Sequence, residues 1–136
     1  MKDNPIVAVG VAIINRDQKF LVAKRTADKP MPNKWEFPGG KLEKNETLQE
    51  CGIRETKEEL ELDIKIEGYL GFENIHYKNK DFQLHLFTAR LKDENQIFVL
   101  NEHSEAKWLG FEEFKEYDFP ASKLKFVQEL KKTLVL

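Results

Sequence analysis

Residues 55–59 read Glu-Thr-Lys-Glu-Glu, three carboxylates within five residues, shortly after Pro38-Gly39-Gly40. Like charges three and four apart on a helix repel by about 0.2–0.5 kcal/mol per pair, and only Arg54 and Lys57 stand close enough to offset this. Such a cluster is either a solvated helix face, which Glu favours, or a site for a hard cation. Mg²⁺ takes carboxylate oxygens together with substrate phosphates. An anionic substrate would be repelled by this face unless metal lay between them, so the cluster suggests a metal bridge to phosphate.

The elements around the cluster follow from patterning. On a wheel of about 100° per residue, positions 47–61 place Ile53, Thr56 and Leu60 on one side and Glu55, Glu58 and Glu59 on another, an amphipathic helix. Before it, residues 5–15 are apolar on both alternating sets, as in a strand buried on both faces. The stretch "RDQ" predicts a turn and residues 19–26 a returning strand. "WEF" (35–37) is a short strand expected to stop at Pro38-Gly39-Gly40. After the helix come two alternating strands joined by "KNK", then a loop "NEHSEAKWLG" leading into a short strand at 107–109. "FEEFKEY" predicts a short helix, and Leu124, Val127, Leu130 and Leu134 predict a terminal one. The expected class is α/β: a mixed sheet covered on both faces.

The 136 residues, 40% of them apolar, suit a single domain spanning 1–136. A net charge of −2 gives no basic field for nucleic acid. No apolar run is long enough to cross a membrane, and the first residues lack a signal peptide's features. The single Cys51 cannot form an internal disulfide, and a cytoplasmic location is expected. No base motif stands beside Cys51 to make it a nucleophile. His76, His85 and His103 lack ligand spacing and are expected to be structural. No P-loop is present, since Lys41 is followed by Leu.

From Gly40 to Leu62 the chain resembles the Nudix box, Gly-x5-Glu-x7-Arg-Glu-U-x-Glu-Glu-x-Gly-U with U a bulky aliphatic residue. Gly40, Glu46, Arg54, Glu55, Glu58 and Glu59 all match. Two positions depart: Thr56 replaces an aliphatic residue and Glu61 replaces Gly. A Gly there would end the helix left-handed, so a different helix end is expected. The resemblance implies the Nudix fold, an α/β/α sandwich, and a hydrolase requiring Mg²⁺ or Mn²⁺. It implies that Glu55, Glu58 and Glu59, with the carbonyl of Gly39, bind the metals, that Arg54 orients the carboxylates and that Glu46 braces the loop.

"KRTADKPMPNKWEFPGGKLE", "NEHSEAKW" and "DFPASKL" are similar to the MutT-type branch. That branch hydrolyses nucleoside triphosphates, notably 8-oxo-dGTP, to monophosphate and pyrophosphate. The likeness makes Glu102 a further metal ligand or base candidate, with Glu105 as fallback, and assigns Arg25, Phe37 and Ser122 to the nucleotide pocket. Glu55, Glu102 and a metal-bound hydroxide all stand as general-base candidates. Ser122 occupies the place of an Asn in the 8-oxoguanine enzymes, and equally suits the N-cap of the last helix. Pro30 stands where a His contact is expected. The outline also resembles (deoxy)cytidine triphosphate pyrophosphohydrolases. It is compatible, too, with a hydrolase of nucleoside diphosphates linked to another group, and with a non-catalytic nucleotide-binding regulator. The expected partner is a nucleoside triphosphate, with no nucleic acid or membrane, and the chain is expected to be a monomer or homodimer.

Overall fold

A computed structural model describes residues 4–119, 128–130 and 132. Strand β1 (Ile6–Ile14) is its axis. It pairs in parallel with β6 (Lys80–Leu91) from Ile6↔Phe82 to Ile14↔Arg90. On its other side it pairs antiparallel with β4 (Gly39–Lys41) and, at Ile14↔Phe20, with β2 (Phe20–Arg25). Strand β2 carries β3 (Trp35–Glu36) and β7 (His103–Leu109), and β5 (Ile64–Tyr77) closes the sheet beyond β6.

The double apolar pattern of β1 is explained by two cores. Val9, Val11 and Ile13 join Leu21, Leu60 and Phe87 beneath helix α1 (Leu48–Leu60). Ala12 and Ile14 join Phe20, Phe37, Phe114 and Leu130 on the opposite face. A 3-10 helix, Phe111–Glu116, covers part of that second face, where a short helix is expected. Residues 128–130 are also helical. The rest of the predicted terminal helix, Ser122 included, lies outside the described residues.

Local chemistry sets the connections. The Asn15 side-chain oxygen accepts from the backbone N–H groups of Asp17 and Lys19, closing the first turn. Lys78 and Asn79 both have positive φ, 47° and 63°, as the two-residue β5–β6 turn demands. At the start of α1 the Thr47 hydroxyl accepts from Glu50 N and the Glu50 carboxylate accepts from Thr47 N, a complete capping box.

The short strand expected at 35–37 is β3, which ends at Glu36, before Pro38-Gly39-Gly40, and Gly39 begins a further strand, β4, against β1. Three expectations are corrected. Strand β7 begins at His103 rather than 107, since its polar residues face solvent while its backbone pairs with β2. Ile53 is 41% exposed, because the buried arc of α1 is centred on Gly52 and Glu59, about 100° from Ile53. Finally, the helix does end left-handed, at Glu61 with φ 57° and ψ 37°. There Glu61 N donates to the Lys57 carbonyl and its carboxylate accepts from the Asn101 amide, which offset the backbone strain.

Thr56 is wholly buried and its hydroxyl has no hydrogen-bond partner among the described residues. Val preserves the shape and removes the unsatisfied group, a gain of about 1 kcal/mol. Thr56→Val is therefore expected to raise the melting temperature by about 4 °C. Thermal denaturation checks this, and a lower melting temperature would show that the hydroxyl is satisfied in solution.

Candidate active site

Strand β4 is tightly enclosed, by the β1 backbone at Gly39 and by the Glu55 side chain of α1 at Gly40. A Cβ on Gly39 would lie 1.9 Å from the Val9 carbonyl oxygen, and one on Gly40 would lie 2.4 Å from the Glu55 carboxylate. Glu55 and Glu59 thus lean over the strand. Gly39 N–H points toward Glu59 Oε1 at 3.4 Å. Glu58 is on the outer flank of the helix, its side chain 52% exposed.

Arg54 gathers the remaining charge. It grips Glu46 with two nitrogens at 2.6 and 3.0 Å, and reaches Glu55 at 2.6 Å and Glu58 at 3.2 Å. It also donates to the Lys41 carbonyl, tying α1 to the end of β4. Glu46 in turn accepts from Glu43 N in the preceding loop. The Arg54 guanidinium holds the Glu46 carboxyl down to about 2, and the carboxylates raise Arg54 above its ordinary value. Glu46 therefore contributes stability that is complete above its unfolded pKa and is lost as pH falls toward about 2.

Glu59 has the opposite environment. It is buried, and its pKa is pushed up, first by that burial and then by the neighbouring Glu36 and Glu55 carboxylates. Its nearest cationic candidate is His103, 3.9 Å away. Glu36 and His103 were not legible as site residues, although a Glu between Trp35 and Phe37 in a short strand is a signal for one. Glu36 Oε2 faces His103 Nε2 at 3.0 Å, and its Oε1 accepts from Arg25 at 3.0 Å.

Beside β4 opens a largely apolar cleft of about 540 Å³. Glu36, Gly39 and Gly40 belong to its wall, and the same two glycines lie against Glu59 and Glu55 of α1. Phe37, Tyr77 and Phe82 supply aromatic surface, while Lys41, Lys78 and Lys80 also line it. Arg25 lines it too, with Nε donating to the Pro30 carbonyl. Phe37 is at once a wall residue and a core aromatic, packed against Phe114 and Phe119. Burial pushes up the Cys51 thiol, to about 12, beneath the helix, so it is no thiolate.

A model of the NUDIX domain matches residues 4–130. The chain belongs to the Nudix family. A CTP pyrophosphohydrolase from Escherichia coli is 30% identical over 82% of this chain and 82% of its own length. An 8-oxo-dGTP diphosphatase from the same organism is 29% identical over 93% of this chain and 95% of its own. Among solved structures, a MutT protein from Methanosarcina mazei Go1 superimposes with a TM-score of 0.87 at 25% identity, covering 98% of each chain. This Nudix hydrolase accordingly has the expected α/β fold with a mixed sheet.

The Nudix residues differ in how they are brought together. Glu55 and Glu59 adjoin, with the Gly39 backbone beside them, while Glu58 extends outward. Glu102 is exposed and its carboxylate faces Lys29 at 3.8 Å, not the helix acids. Its neighbour Asn101 does touch α1, donating to the Glu58 carbonyl. Glu105 pairs with Lys24 on the surface. His85 bonds Tyr69 and Gln83, and His76 bonds Asp81, as structural histidines.

Among the described residues, no three acidic, His or Cys side chains converge as a ready-made metal site. The donors nevertheless suit Mg²⁺ or Mn²⁺: they are hard oxygens, and Glu59 is a buried carboxylate crowded by two others. A cation there would have to draw Glu55 away from Arg54.

Because the folded pKa of Glu59 lies above its unfolded value, metal-free stability should fall as pH rises from near 4.5. Glu59→Gln cannot ionise. In chelator its melting temperature is expected to exceed wild type by at least about 4 °C at pH 8, corresponding to about 1 kcal/mol, and by much less at pH 5. A difference independent of pH, measured by thermal denaturation, would refute the buried-acid account.

Proposed function

We propose that this Nudix hydrolase cleaves nucleoside triphosphates, 8-oxo-dGTP or a related (d)NTP, to nucleoside monophosphate and pyrophosphate, with Mg²⁺ or Mn²⁺. The observation that carries this is the shared wall. A cleft of about 540 Å³ lined by Phe37, Tyr77 and Phe82 adjoins Gly39 and Gly40, against which Glu59 and Glu55 rest. A flat, mostly apolar base suits the first region. A polyphosphate reaching from it would meet the carboxylates.

In this reading Glu55, Glu58 and Glu59, with the Gly39 carbonyl, hold the cations. When bound, these neutralise phosphate charge and lower the pKa of water. The chain's own residues do the rest. Arg54 fixes the direction of Glu55 and Glu58, and Glu46 fixes Arg54. Glu55 and Glu102 are the side-chain candidates for accepting a proton from the attacking water. Glu102 lies one residue from Asn101, which donates to the Glu58 carbonyl of α1. Arg25 and Phe37 shape the base end, and Ser122 is proposed to contact the base.

A second reading, a (d)CTP pyrophosphohydrolase, is supported by the 30% identity to the E. coli enzyme of that name. The two readings share phosphate chemistry and differ at the base.

Pyrophosphate release from 8-oxo-dGTP, dGTP, dCTP and CTP decides between them. Activity is expected to vanish in excess chelator, and Glu59→Gln is expected to lose at least tenfold in kcat, about 1.4 kcal/mol of barrier. Full turnover in chelator would overturn the metal reading, and release of phosphate without pyrophosphate would overturn the reaction. The substrate with the highest kcat/KM identifies the preferred base.

A further inference from the structure

Strand β7 begins with a buried side chain to which the proposed reaction gives no role. His103 is buried at the end of a strand whose next two residues are exposed. A bulge makes this possible: Lys24 pairs with Glu105 but Arg25 pairs with His103, so Ser104 is extra and His103 turns inward.

Nε2 lies 3.0 Å from Glu36 Oε2 and 3.9 Å from Glu59 Oε1. The buried Nδ1 has no hydrogen-bond partner among the described residues. The ring is therefore tied through one nitrogen, and that nitrogen stands between two carboxylates. Glu36 is held at its other oxygen by Arg25, whose own Nε donates to the Pro30 carbonyl. A row of contacts thus leads from the cleft wall to the most buried acid of α1.

The arrangement has a physical consequence. Oxygens of Glu36 and Glu59 face the same imidazole nitrogen, so its N–H is what stands between them and sets how each is turned. A carboxylate that must present an oxygen to a cation is sensitive to such rotation, as ligands generally depend on the groups that orient them.

We propose that His103, braced by Glu36, is a positioning residue for Glu59. It keeps Glu36 turned toward Arg25 and leaves the Glu59 carboxylate against Gly39, facing the cation. This rests on the reading of Glu59 as a metal ligand given above.

The test is Mn²⁺ binding to the full chain without nucleotide, followed by the paramagnetic resonance of free Mn²⁺, beside kcat and KM on the preferred nucleotide. His103→Leu keeps bulk and loses the donor. It is expected to weaken Mn²⁺ binding about tenfold and to lower kcat about tenfold, with KM changed less than about twofold. His103→Gln restores a side-chain N–H of similar reach and should recover most of both. Thermal denaturation of each variant in chelator separates a packing loss from a positioning loss. The proposal is overturned if His103→Leu binds Mn²⁺ as wild type does. It is equally overturned if the Leu and Gln variants lose function alike, in step with their melting temperatures. Wild-type turnover is measured first and tests the proposed function alone. An inactive wild type that binds Mn²⁺ would sink the substrate reading, and the ranking of variants in Mn²⁺ affinity would still decide the role of His103.

Discussion

The site depends on how closely α1 can approach the sheet edge. Gly39 lies against the Val9 carbonyl, Gly40 against the Glu55 carboxylate, and Gly52 of the helix against Val11, where an added Cβ would be 2.9 Å from Cγ2. A side chain at Gly52 would wedge helix from sheet, one at Gly40 would displace the Glu55 carboxylate, and one at Gly39 would break the pairing of β4 with β1. Glu59 would then lose its burial and the Gly39 N–H that points toward it. The two glycines after Pro38 are therefore part of the site through what they allow to approach.

Close approach creates an electrostatic problem, solved differently at the two ends of the acidic group. On the outer flank Arg54 meets Glu46, Glu55 and Glu58, an arrangement in which a planar, five-donor cation is better suited than Lys. On the inner side no Arg or Lys meets Glu59 among the described residues, and its charge is suppressed by burial. A divalent ion would change this balance, since the charge that burial suppresses is the charge the ion favours. Folding without metal and binding of metal therefore make opposing demands on one carboxylate.

What could be read from sequence was what depends on spacing. The box of acids, the two-faced β1 strand and the helix within 47–61 follow from spacing and periodicity. What could not be read depends on the angle at which elements meet. Helical spacing placed Ile53 with Leu60, but the helix rests on Gly52, whose missing side chain carries no hydropathic signal, so Ile53 turns outward and Glu59 inward. Glu36 and His103 are far apart in the chain and come together only because β3 and β7 both pair with β2, on which a bulge shifts the register. Strand β7 was concealed by its own polarity, since its pairing is made by backbone and not by an apolar face.

The departures from local preference cluster round this site. Among the described residues, Glu59 is a buried acid, His103 has an unpartnered buried nitrogen, Thr56 has an unpartnered hydroxyl, and Glu61 adopts a left-handed backbone. Each costs stability where a simpler residue would not, and such conflicts between local and global preference concentrate where a chain is shaped for function. They are not equivalent, however. Thr56 and Glu61 concern packing and helix termination, and the family pattern of an aliphatic residue and a glycine at these places would relieve both without touching a carboxylate. Glu59 and His103 cannot be relieved in that way, because oxygens of Glu36 and Glu59 face one imidazole nitrogen, and an apolar residue in place of either acid would remove an oxygen donor beside the cleft. The strain at the first pair belongs to this particular chain, and the strain at the second is what the proposed chemistry would use.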